Sequence, residues 1–149
     1  MKQEWFFMDY FLPASTVLFI DGNKVNRQYW TQRLYMASPD YLILEANSGA
    51  EGLKICRSQQ VDCVVTEHNL PDMSGFELLV KLVPRARRPS MAVILLSHVT
   101  LLSMAAFALK SGAQDFLIKS RISGDDLARA IQRAIAVVGA SGKEPPLCA

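Results

Sequence analysis

Five short apolar runs, each closed by a polar residue and followed by a stretch of helical spacing, restrict this chain to very few folds. The first, Thr16–Ile20, is apolar over its last four residues, as a strand covered on both faces requires. Residues 41–46, 61–66, 92–96 and 115–119 repeat the pattern and read as further strands. Between them, Val25, Tyr29, Trp30 and Leu34 recur at helical spacing, and Asn47 or Ser48 can cap a helix that carries Ala50, Leu53, Lys54 and Ile55. Further helices are read over residues 75–83 and 101–110, the latter closed by Gly112, and in the stripe of Leu127, Ala130, Ile131, Ala134, Ile135 and Val138. Strands alternating with helices imply an α/β fold in three layers around a parallel sheet, and right-handed crossovers leave few topologies.

The 149 residues suffice for one domain with one sizeable core, predicted over residues 15–138. Residues 1–14 read as an aromatic arm, with Trp5, Phe6, Phe7, Tyr10 and Phe11, that packs on the domain, on a second copy or on a neighbouring domain. Residues 139–149, with Gly142, Pro145 and Pro146, read as a linker or disordered tail. The net charge of +2 selects no charged partner, and the cluster Arg85, Arg87 and Arg88 between two prolines reads as a solvated loop, so no nucleic acid is expected. No run of about 18 apolar residues occurs, so no membrane span is expected. Cys56, Cys63 and Cys148 are too few and too scattered for a zinc site or a disulfide framework, which points to a reducing, cytoplasmic setting.

In a parallel α/β sheet the chemistry gathers outside the carboxyl ends of the strands. The residues there are Asp21 and Gly22 after the first strand, Glu67 after the third, Ser97 and His98 after the fourth, and Lys119 after the fifth. One edge of the sheet therefore collects two carboxylates, a hydroxyl, an imidazole and an ammonium. Asp62 and Asp72 fall in loops and read as solvated.

With these residues in place, the chain resembles the receiver domains of two-component response regulators over roughly residues 15–138. The carriers are the strand ending at Asp21, Glu67 with Leu70, Pro71, Met73, Ser74 and Gly75 after it, Ile94 to Ser97, and the stretch from Gly112 to Lys119. The resemblance implies a flavodoxin-like (βα)5 doubly wound sheet in strand order 2-1-3-4-5. It implies a signalling module, not an enzyme, within a phosphorelay, with a histidine kinase or an output domain as partner, even in the same full-length chain. It assigns the phosphoacceptor position to Glu67, the acidic pocket to Asp21, the phosphoryl-oxygen ligands to Ser97 and Lys119, the switch aromatic to Phe116 and the access gate to His98. No metal ligand set is assigned to the chain.

Two positions depart from that family. Glu67 stands where the acceptor Asp is expected, and Gly22 where a second acid would help hold Mg²⁺. Mg²⁺ needs near-octahedral oxygen ligation, so any binding here is expected to be weak and no cofactor is required. A carboxylate carried one methylene further is displaced by roughly 1.5 Å, a misfit that costs on the order of 100-fold in rate. The resulting expectation is a pseudo-receiver, either one in which Glu67 accepts from Ser97 and pairs with Lys119, standing in for a phosphorylated acid, or a silent module in which Glu67 and Lys119 form an ordinary ion pair. The alternatives are a receiver phosphorylated at Glu67 or elsewhere with Mg²⁺, and a flavodoxin-like nucleotide or flavin binder, for which residues 21–24 lack a phosphate cradle.

Overall fold

The computed structural model describes residues 15–98 and 101–141; the expected arm over residues 1–14 and most of the expected tail lie outside them. Five parallel strands form one sheet in the order β2-β1-β3-β4-β5. They are β1 (Thr16–Ile20), β2 (Leu42–Ala46), β3 (Cys63–Thr66), β4 (Ala92–Ser97) and β5 (Asp115–Ile118). The helices between and after them are α1 (Lys24–Ala37), α2 (Gly49–Ser58), α3 (Gly75–Leu82), α4 (Leu102–Lys110) and α5 (Gly124–Ser141). This is the expected flavodoxin-like (βα)5 fold.

The alternation of a strand sends successive side chains to opposite faces, and both faces here are apolar. Val17, Phe19, Cys63, Val65, Ile94 and Leu96 meet α1 and α5 in one core. Leu18, Ile20, Val64, Val93 and Leu95 meet α2, α3 and α4 in the other. Burial pushes the Cys63 thiol up, with Asp62 adding to the shift, so it stays a small core residue.

Four helices begin on a side-chain cap. Asn23, Ser48 and Ser74 accept from the backbone N–H groups of Asn26, Glu51 and Glu77. Ser123 and Asp126 form a reciprocal pair, the Ser123 Oγ accepting from Asp126 N–H at 3.2 Å and the Asp126 carboxylate from Ser123 N–H at 2.8 Å.

Several sequence readings shift in the structure. Val25, Tyr29, Trp30 and Leu34 do share one helix, though only Trp30 and Leu34 are buried and Val25 and Tyr29 stand outside, 75% and 46% exposed. Asp62 is not free in solvent: its Oδ2 accepts from Thr16 N–H at 2.8 Å and pins the start of β1. Asp72 likewise reaches across, accepting from Gly49 N–H and Ala50 N–H, both at 2.9 Å. It thereby caps α2 from another loop, and those N–H groups, Ala50 first, hold its carboxyl below the usual carboxylate range. Helix α5 does not stop before Gly139 but runs through it to Ser141.

Two outcomes follow from this wiring. Asp72→Ala removes a cap and is expected to cost about 1 kcal/mol by urea unfolding at neutral pH. Because the folded-state pKa is the depressed one, that difference is present above about pH 4 and fades as pH falls through the folded value. Gly112 closes α4 at φ +107°, where an added Cβ would meet Val83 Cγ1 at 2.8 Å. Gly112→Ala is expected to lose about 1–3 kcal/mol in the same assay.

Candidate functional site

The carboxyl ends of β1, β3, β4 and β5 deliver Asp21, Glu67, Ser97 and Lys119 to one edge, as parallel topology requires. The Glu67 backbone is fixed by its N–H to the Ile20 carbonyl at 2.9 Å, and Gly75 N–H returns to the His68 carbonyl at 2.6 Å. The loop carrying Pro71 is therefore closed at its base. Lys119 lies one residue beyond β5, in a single 3₁₀ turn, Lys119–Arg121, rather than in the strand itself.

Asp21 and Glu67 are 3% and 5% exposed, so their charges need partners. Lys119 supplies one ammonium to both: its Nζ lies 2.9 Å from Asp21 Oδ2 and 2.6 Å from Glu67 Oε2. The Glu67 contact is close but off the line of a good hydrogen bond, leaving Oε2 held by charge rather than by a donor. The remaining oxygens are also engaged. Asp21 Oδ1 accepts from Asn23 N–H at 2.8 Å, and Glu67 Oε1 accepts from His68 N–H at 3.0 Å with His98 Nδ1 at 3.3 Å.

The expected pairing of Glu67 with Lys119 is present. The carboxylate's other oxygen faces the His68 N–H and His98 Nδ1, and Ser97 is fully buried at the end of β4. His98 borders an open pocket of about 470 Å³ together with Asp21, Asn23, Asn26, Glu67 and Pro71. Phe116 is half-buried against the core under α3 and α4, opposite Leu95 in the ladder.

Sequence reasoning missed two neighbours of this cluster. Arg27 donates to the Asp21 carbonyl at 2.6 Å and to Glu45 at 3.0 Å, tying α1 to the site. His68 turns its ring onto Phe76 at 4.8 Å, and Phe76 meets Phe107 edge-on at 5.0 Å. Neither contact has a spacing that would announce it in the sequence.

Among the described residues no group of three or more His, Cys, Asp or Glu stands where it could hold a metal ion. The ammonium of Lys119 is the cation between the two carboxylates, and Gly22 brings no third. A Cβ at position 22 would meet Pro71 Cδ and Cγ at 2.8 Å, so the loop is packed against the missing side chain.

With this geometry in view, the similarity to known proteins is specific. The model of the response regulator receiver domain matches residues 17–132. The nitrate/nitrite response regulator protein NarL of Escherichia coli (strain K12) is 32% identical over 124 residues, covering 83% of this chain and 56% of that protein. The two-component response regulator ORR3 of Oryza sativa subsp. indica is 29% identical, with 83% and 92% covered. Among solved structures, a response regulator receiver domain protein from Clostridium thermocellum superposes with a TM-score of 0.74 at 30% identity, covering 85% of this chain and 98% of that one. The CheY-like receiver domain protein from Methanospirillum hungatei JF-1 gives 0.72 at 25% identity, with 86% and 98% covered. The chain belongs to the response regulator receiver domain family of two-component signalling. It spans little more than half the length of NarL. Among the described residues no helix is long and apolar enough to cross a membrane.

Proposed function

We propose that this chain is a pseudo-receiver: a cytoplasmic signalling module of a phosphorelay that works through protein contacts, with Glu67 in place of the phosphoacceptor Asp. The supporting observation is the resident ion set, in which Lys119 Nζ serves Asp21 at 2.9 Å and Glu67 at 2.6 Å. Phosphoryl transfer depends on positioning and on neutralising charge at the acceptor. Here Lys119 already offsets part of that charge, and His98 borders the approach. Glu67 supplies a fixed negative group against Lys119, the role a phosphoryl group takes in a working receiver. Ser97, Lys119 and Phe116 then rest in one arrangement that a kinase or an output domain reads. The site needs no Mg²⁺ and catalyses no reaction.

Amide NMR of the full chain tests this reading. Beryllofluoride with Mg²⁺ should leave the amides of Ser97, Phe116 and Lys119 where they are, whereas Glu67→Gln should move all three. Shifts on adding beryllofluoride would instead favour a receiver that still accepts phosphate at this site.

A further inference from the structure

Between residues 78 and 114 the chain carries no acid, and its arginines gather in the loop that leads from α3 into β4. Arg85, Arg87 and Arg88 stand there, all exposed, between Pro84 and Pro89. The loop is ordered. Val83 is buried at its start, and Arg88 N–H closes a turn on the Arg85 carbonyl at 3.0 Å. This turn is seated against the end of α4: a Cβ on Gly112 would meet Ala86 Cα at 3.1 Å, and Lys110 closes that helix two residues earlier. Because each helix runs back along the sheet, the turn lies at the end where β4 starts, opposite the edge that holds Asp21, Glu67 and Lys119.

None of the ion pairs among the described residues engages these three guanidinium groups. Asp62 and Asp115, at the starts of β3 and β5, accept instead from Thr16 N–H and Phe116 N–H, both at 2.8 Å. Like charges held together without an acid repel one another, and a partner of opposite sign relieves that cost. The closed turn also fixes the backbone that carries them, so less freedom is lost on binding.

The chemistry of the turn selects among anionic partners. A protein held by nucleic-acid phosphates makes roughly six to ten such contacts, more than three arginines supply. A lipid surface needs an apolar face to insert, and the turn offers only Ala86 and two prolines. Carboxylates on a protein segment suit it better, because the planar fork of arginine pairs with them through two parallel hydrogen bonds. We propose that the turn over residues 85–88, with Lys110 at the adjoining end of α4, is a docking site for an acidic segment of a partner protein. It gives the domain a contact surface remote from its buried charges. Nothing in this depends on the role of Glu67.

Fluorescence polarisation of the full chain tests it, with a labelled peptide in which six glutamates alternate with alanines. Arg85→Gln, Arg87→Gln and Arg88→Gln together should weaken peptide binding at least about tenfold. Lys24→Gln, Lys54→Gln and Arg57→Gln together remove the same charge from exposed positions elsewhere and should leave it unchanged. Since the three arginines are exposed, their replacement should also leave the urea midpoint where it is. Equal weakening by both sets would reduce the contact to net charge and overturn the proposal. So would an absence of peptide binding at low salt, or arginine-dependent binding to phosphatidylserine vesicles or duplex DNA but not to the peptide.

Discussion

A chain carrying Glu67→Asp together with Gly22→Asp is expected to take up one phosphoryl group from acetyl phosphate and Mg²⁺, read by intact mass, at least about 100-fold faster than the unaltered chain. The first change draws the carboxylate back by one methylene, away from Lys119 and toward the position from which an in-line transfer is made. The second restores the carboxylate that a near-octahedral ion requires. Neither change alone should suffice. Without the second acid the ion lacks ligands, and without the shorter acid it is held in the wrong place. The Cβ introduced at position 22 meets the Pro71 ring at 2.8 Å, so the loop after β3 has to shift to admit it. Equal labelling of the unaltered and doubly substituted chains would count against the pseudo-receiver reading.

Lys119→Met is expected to lose about 3–5 kcal/mol in urea unfolding, because it leaves Asp21 and Glu67, both nearly inaccessible, without their shared cation. The cost comes from stranding buried charge and not from losing packing, since methionine fills a similar volume. Adding Glu67→Gln to Lys119→Met should therefore recover part of the loss, a coupling that a double-mutant cycle measures. An unchanged urea midpoint for the single variant would mean that water screens the pair.

The strands were legible because a sheet covered on both sides demands unbroken apolar runs, and β4, buried over all six residues, is the clearest case. Their ends were less so. Val61 is buried but precedes the ladder, and Lys119 turns away from it, since pairing and not burial ends a strand. The cluster of Asp21, Glu67 and Lys119 was also legible, because topology alone brings those ends together. The roles of Asp62 and Asp72 were not. Their partners are backbone N–H groups 46, 23 and 22 residues away, and a backbone donor leaves no mark in residue type.

The grip of Asp72 on the start of α2 makes the two loops beside Pro71 and Ser48 a single rigid flank. The opposite flank, from His98 onward to Lys119, is tied instead through the site itself, by His98 to Glu67 and by Lys119 to both Glu67 and Asp21. One side of the domain is thus braced by backbone donors and the other by buried charge, with Leu102 and Phe107 of α4 exposed beyond it.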